Sequence, residues 1–299
     1  MSKTAKIIDV HHHIILPQME AGNIPTPKWS VEIDRAAMDR LGITGALLSF
    51  PNGGENPETV RRFNSYLAEV SAKFPKEYGA LASIPYSDPD QALDEISYAY
   101  DTLKVDGIAL VSNQGGVYIS DDSMDEILAE LNRRSAVVFV HPGEPAGDNL
   151  PLFGRHISVY EFPFETTRVF MDLIYKGKLQ RYPNIRWIAA HAGGTIPYLS
   201  YRLSIAKEWG GITQSPEEVM SSLNTIYYEL ALSTSPITFM ALNKLVGSSR
   251  ILFGSDYPMR PEKGVAESLA DINGYEGFNA DEKRMIEADT ICKFFPRFN

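Results

Sequence analysis

Hydrophobic and polar positions follow two rhythms along this chain. Short runs of Val, Ile, Leu and Ala alternate with longer stretches in which apolar residues return every three or four positions. The first rhythm predicts buried strands and the second amphipathic helices. Strands are predicted over residues 6–11, 44–50, 79–85, 107–112, 136–140, 185–190, 225–231 and 250–255. Helices are predicted over 31–41, 58–74, 89–103, 122–134, 165–182, 196–207, 236–246 and 262–273, with a terminal one over 282–292. Ser30, Ser215-Pro216-Glu217-Glu218 and Ser235-Pro236 are helix-start signals, because a serine hydroxyl caps free amides and proline fits the first turn. Eight alternating units predict an α/β fold, a (β/α)8 TIM barrel, forming one domain over residues 1–299. The connections 14–29, 113–121 and 142–164 are long and each follows a strand, so they are expected to build a substrate pocket.

Composition narrows the partners. A formal charge of −10 without a basic stripe argues against nucleic acid and anionic membranes, and leaves small molecules. One cysteine, Cys292, excludes an intramolecular disulfide and suits a reducing compartment. No apolar run is long enough to span a bilayer and no signal-peptide core is visible, so a soluble, cytoplasmic protein is expected.

Five residues then stand out by position. The apolar run Ile7-Ile8-Asp9-Val10 leads into His11-His12-His13. Side chains in a strand alternate between faces, so His11 and His13 share one and only that pair can chelate. The run 136–140 ends in His141-Pro142-Gly143, 185–190 in His191-Ala192-Gly193-Gly194, and 250–255 in Asp256-Tyr257-Pro258. A single strand-end histidine is usually a hydrogen-bonded structural residue. Four such strand ends favour a shared mononuclear metal site, since barrel chemistry gathers where the strands end. Imidazole and carboxylate suit zinc and similar divalent ions, and a catalytic site leaves a position open. Asp9, placed on the His11 face one layer deeper, is expected either to orient a ligand or to be a satisfied buried carboxylate. His156 has no strand-end context and is expected to face solvent.

His-x-His, His-Pro, His-Ala-Gly-Gly and Gly-Ser-Asp-Tyr-Pro, in this order, resemble the amidohydrolase superfamily, specifically its aminocarboxymuconate-semialdehyde decarboxylase-like branch, over nearly the whole chain. Within that branch, residues 25–29, 107–113 and 161–168 look most like 6-methylsalicylate decarboxylases. The resemblance implies metal ligation by His11, His13, His141 and Asp256, with His191 as acid/base beside the metal-bound water. Dinuclear members carry a carboxylated lysine at the end of strand four, where this chain reads Ile108-Ala109-Leu110-Val111-Ser112-Asn113. One divalent ion is therefore implied, zinc from the donor set, with manganese tolerated by related sites. The resemblance also implies a homodimer or a homotetramer.

The branch places one substrate-binding arginine in the loop after strand one and another beyond the helix that follows the sixth-strand histidine. Here residues 14–29 hold no arginine, and the second position falls near Trp209-Gly210. Guanidinium forks for a dicarboxylate are not expected, and an aromatic monocarboxylate fits better. Trp29, Asn113, Tyr160, Phe162 and Phe164 are candidate pocket residues by their place on catalytic-side segments, core or surface packing being the alternative for the aromatic ones. Arg202 is a candidate for the substrate carboxylate or a subunit contact, with an ordinary ion pair equally open; Arg168 is expected either to serve the substrate or, the favoured reading, to pair with Glu165.

Nonoxidative decarboxylation of a small hydroxybenzoate- or methylsalicylate-like acid is the leading reaction. The ring carbon must be protonated as CO2 departs, and His191 or Asp256 delivers that proton. The same residues would serve a hydrolase or hydratase using metal-bound hydroxide on a small carbonyl or unsaturated acid. A binding barrel without turnover is disfavoured, because every expected catalytic side chain is present.

Overall fold

A computed structural model describes residues 6–15, 27–50, 56–147 and 150–299. Most of the predicted loop 14–29, including Pro25 and Thr26 of the motif read at 25–29, lies outside the described residues. Eight parallel strands, Ile8–His13, Gly45–Ser49, Tyr78–Ala82, Gly107–Val111, Val137–His141, Arg186–Ala189, Tyr227–Glu229 and Ile251–Leu252, lie side by side in chain order. The sheet closes on itself where Val10 N donates to Phe253 O (3.0 Å), Asp256 N to His11 O (2.8 Å) and His13 N to Tyr257 O (2.7 Å). With helices between the strands this is the expected (β/α)8 barrel.

Local chemistry sets the helix ends. Ser30 accepts from Ile33 N to start Val31–Leu41, and Gly42, left-handed at φ 72°, ends it. Asn56 and Pro57 open Pro57–Lys73 in the same manner, and Ser235 with Pro236 opens Pro236–Val246. The Ser215 signal starts a separate helix, Pro216–Leu223, with a complete capping box to Glu218. The predicted helix 165–182 begins earlier, at Glu161, and breaks at Gly177, whose φ of 68° no helix interior allows, into Glu161–Tyr175 and Lys178–Arg181. Residues 113–118 fold into a small antiparallel hairpin, Asn113–Gln114 with Val117–Tyr118.

Two apolar clusters follow from strand alternation. In the fifth strand Val138 and Val140 join the large cluster between barrel and helices, whereas Val137 and Phe139 join the one inside the barrel. That inner cluster also takes Leu47, Leu81, Ala109, Ile188 and Leu252, and is capped by Ile291, Phe295 and Phe298 of the C-terminal segment. The barrel is thus packed at one end and open for chemistry at the other.

The first strand departs from plain alternation. Ile8 and Val10 belong to the inner cluster, so an unbroken period of two would turn His12 inward. Between Asp9 and His12 the strand spends three residues against two of its neighbour, Asp9 pairing Ala46 and His12 pairing Leu48. This bulge shifts the phase, so that His11 and His13 meet inside and His12 points away. The same shift overturns the placement of Asp9 beneath His11. Its carboxylate accepts from the His11 and Ser255 backbone amides and contacts the His12 ring, so it is a satisfied buried group joining the first strand to residues beyond the eighth.

Candidate metal centre and active site

The strand ends bring four groups together. His11 Nε2 lies 2.9 Å from His13 Nε2 and 3.3 Å from Asp256 Oδ1, and His13 Nε2 lies 3.2 Å from the same oxygen. With His141 their ligand atoms all fall within 4.8 Å of one another. Donors about 2.1 Å from a shared cation stand roughly 3 to 3.5 Å apart, so these side chains fit one ion. His191 stands beside the group, its ring centroid 5.0 Å from that of His11 and 5.8 Å from that of His141. His141 is the last residue of its strand rather than the first beyond it, because its carbonyl still accepts from Ser112 N.

Hydrogen bonds at the far nitrogen orient each ring. His11 Nδ1 meets Glu229 Oε1 at 2.9 Å and His13 Nδ1 meets Ser49 Oγ at 3.0 Å. His141 and His191 donate from Nδ1 to the carbonyls of Pro142 (2.7 Å) and Ala231 (3.2 Å), which leaves Nε2 of His141 available to a cation and Nε2 of His191 available to exchange a proton. Glu229 supports His11 and is absent from the residues that the sequence pattern singled out. It is fully buried, and its oxygens also accept from His191 N (2.5 Å) and Ala231 N (2.6 Å). A Cβ at residue 254 would lie 2.0 Å from Glu229 Oε2, so Gly254 makes room for this carboxylate. The signal was present: a glutamate in the middle of the apolar run 225–231 is costly to bury without a partner.

The electrostatics suit a cation. Burial would raise the Asp256 carboxyl, but the His11 and His13 rings hold it well below the usual range. Burial first, and then the neighbouring imidazoles, keep His141 well below an ordinary histidine; burial also lowers His13. His11 goes the other way: burial would depress it, yet the Glu229 and Asp256 carboxylates lift it to about 10. Its Nε2 therefore sits at a point of strong negative potential, where positive charge is favoured.

The backbone is strained at this site. His191, Ala192, Leu232 and Asp256 all have left-handed φ, at 53°, 58°, 55° and 62°. For residues other than glycine this costs of order 1–3 kcal/mol each and persists only where surrounding packing imposes it. Here it turns His191 and Asp256 toward the barrel axis as their strands end.

A cavity of about 570 Å³ opens above the cluster. His141, His191 and Asp256 form part of its lining, and Phe162 with Pro163 line it from the start of Glu161–Tyr175. The loop after the fifth strand contributes as expected, through His156, Ser158 and Val159, so His156 is exposed but also borders the cavity. Trp29, Asn113, Tyr160, Phe164 and Arg202 are not among the described lining residues. Trp29 donates to Asp34 Oδ1 (2.9 Å), and Asn113, in the hairpin, donates to Glu144 O (2.8 Å) of the loop after the fifth strand. Tyr160 and Phe164 are exposed, and Arg202 covers the Trp209 ring at 5.1 Å. Arg168 pairs with buried Glu165. One cation that the sequence reading passed over, Arg260, does line the cavity.

The comparisons with known proteins place the chain in a family. The amidohydrolase family matches residues 8–297. A 6-methylsalicylic acid decarboxylase of Penicillium expansum is 33% identical over 97% of this chain and 96% of its own. Among solved structures, an amidohydrolase II superposes with a TM-score of 0.89 at 22% identity, over 97% of this chain and 99% of the other. A dihydroxybenzoic acid decarboxylase of Polaromonas sp. JS666, solved with manganese and 2-nitroresorcinol, superposes with a TM-score of 0.80 at 20% identity, over 97% and 96%. Strand-end histidines, a shared eighth-strand aspartate and a full-length match lead to one conclusion: this chain belongs to the amidohydrolase family.

Proposed function

We propose that this chain is a metal-dependent nonoxidative decarboxylase of a small hydroxylated aromatic acid. The observation that carries the reading is the convergence of His11, His13, His141 and Asp256 at the foot of a cavity that His191 also enters. Full-length similarity to a 6-methylsalicylic acid decarboxylase supports the substrate class. Those four side chains would hold a divalent cation, which would supply Lewis-acid chemistry to a bound acid. Manganese is favoured over zinc, supported by the manganese bound in the Polaromonas enzyme; imidazole and carboxylate donors accept either.

The protein's own groups do the rest. Phe162 and Pro163 give the aromatic ring an apolar wall, which restricts its orientation over the strand ends. His191, held by Ala231 O through Nδ1, presents Nε2 to the cavity and carries the transferable proton there. That proton goes to the ring carbon bearing the carboxylate. The bond from that carbon to the carboxylate then breaks, its electron pair returns to the ring, and CO2 and a phenol leave. Asp256, fully deprotonated by its neighbours, is the poorer proton donor and serves as a ligand.

Manganese-loaded protein incubated with 6-methylsalicylate, salicylate and 2,6-dihydroxybenzoate tests this. At least one acid should yield equimolar CO2 and phenol, in a reaction abolished by chelation. Consumption of an acid without gas, or no consumption of any of them, would contradict the reading.

A further inference from the structure

Arg260 is the only lysine or arginine among the described residues lining the cavity. It follows the eighth-strand aspartate by four residues, and its amide donates to Asp256 O at 2.8 Å, so the two share one tight turn. Its guanidinium is built into place. Nη1 donates to Ser268 Oγ at 2.7 Å, and a Cβ at residue 264 would stand 2.5 Å from Nε, so Gly264 gives the group its bed on the helix Glu262–Gly274. Among the described residues Arg260 has no carboxylate partner, while the buried cationic side chain Lys178 does.

Charge counting gives this arginine a task. A divalent cation at the four-ligand site would be balanced by Asp256 and by Glu229, which is buried against His11. The reaction centre alone is then nearly neutral, in a chain of formal charge −10. An anionic substrate that leaves water for the cavity needs a compensating charge, and Arg260 can supply it with up to four unused N–H donors. The hydroxyl-bearing stretch Ser233-Thr234-Ser235 also lines the cavity and connects to the arginine's anchor, since Thr234 Oγ1 lies 3.2 Å from Ser268 Oγ.

We propose that Arg260 is the anion-recognition residue of this cavity, so that the site selects aromatic acids bearing one net negative charge over neutral phenols. The inference rests on the decarboxylase reading for its substrate class, and gives to Arg260 the contact with the substrate carboxylate for which the sequence offered Arg202. Gly264 is its positioning partner.

Calorimetric binding of salicylate and of phenol to the manganese-loaded protein, run beside CO2 release, tests it. Arg260→Gln should weaken salicylate binding, and raise KM for any acid turned over, by about 10- to 100-fold, the scale of one charge-assisted contact. Phenol binding should change less than about twofold. Arg260→Lys should recover part of the loss. Gly264→Ala keeps the charge and favours the helix, yet moves the guanidinium, so it should show an intermediate loss. Salicylate binding that is Arg260-dependent, without CO2 release from 6-methylsalicylate, salicylate or 2,6-dihydroxybenzoate, would sustain this inference and remove the decarboxylase reading. CO2 release with KM and salicylate affinity unchanged in Arg260→Gln, or no salicylate binding by the parent protein, would overturn the inference.

Discussion

His11 and His13 project into the mouth of the barrel, whereas His12, between them, lies in the seam formed by the first strand, Ser255 and the helix Val31–Leu41. The residue type is the same and the surroundings differ. His11, His13, His141 and His191 each have Nδ1 engaged, and the first three crowd around one carboxylate, Asp256, with His191 beside them. His12 has both nitrogens taken, by Asp9 Oδ2 and Asp34 Oδ1, each at 2.8 Å. Asp34 in turn accepts from Trp29 and Tyr78. Burial would depress His12, but Asp34 and Asp9 raise it to about 10, so it is a charged structural group. Chemistry is reserved for the rings with a nitrogen to spare, and the bulge at Asp9–His12 decides which rings those are.

The largest expected effect comes from removing a mouth ligand. His13→Ala should lose bound metal and all measurable turnover together, read by elemental analysis and CO2 release. Next, His191→Asn should keep the metal and lower kcat by about 10²- to 10⁴-fold, the usual range for a general acid. A metal-free His191→Asn would make His191 a ligand and erase the distinction drawn here. Glu229→Gln, which weakens the support of His11, should reduce metal affinity by about 10- to 100-fold in a chelator competition.

The seam should respond in stability, with the smallest effect on turnover. His12→Ala strands two buried carboxylates and should cost about 3–5 kcal/mol in denaturant unfolding, while the folded fraction keeps its metal. The pH dependence has a definite sign. The raised pKa of His12 makes its contribution complete below its ordinary value, about 6.5, and lost as pH rises through about 10. Asp34 is lowered, because His12, Tyr78 and Trp29 outweigh the cost of its burial, so its contribution fades as pH falls below about 4. The difference in Tm between the parent and His12→Ala should therefore be greatest between about pH 4 and 6.5. A flat difference from pH 4 to 10 would show that His12 is neutral.

The barrel and the five site residues were legible because both rest on local pattern. Alternating rhythms mark the strands and helices, and the histidines and Asp256 stand at or just beyond strand ends. What escaped the sequence depends on distance along the chain. Glu229 supports His11 from 218 residues away, and only the closed barrel makes them neighbours. The phase of Asp9 was misread because a bulge leaves no mark in a periodic pattern; the pairing of Asp9 and His12 with the second strand reveals it. Trp29 was chosen as an aromatic on a catalytic-side loop, but its indole is committed to Asp34 in the seam. Arg260 was overlooked because no motif surrounds it, and its value comes from the cavity it borders.

Anomalous diffraction at the manganese edge, from crystals grown with the metal, tests the central claim most directly. One peak is predicted, within about 2.0–2.3 Å of His11 Nε2, His13 Nε2, His141 Nε2 and an Asp256 carboxylate oxygen, with His191 outside bonding distance. Two peaks, a peak bonded to His191, or none at these four side chains would contradict it.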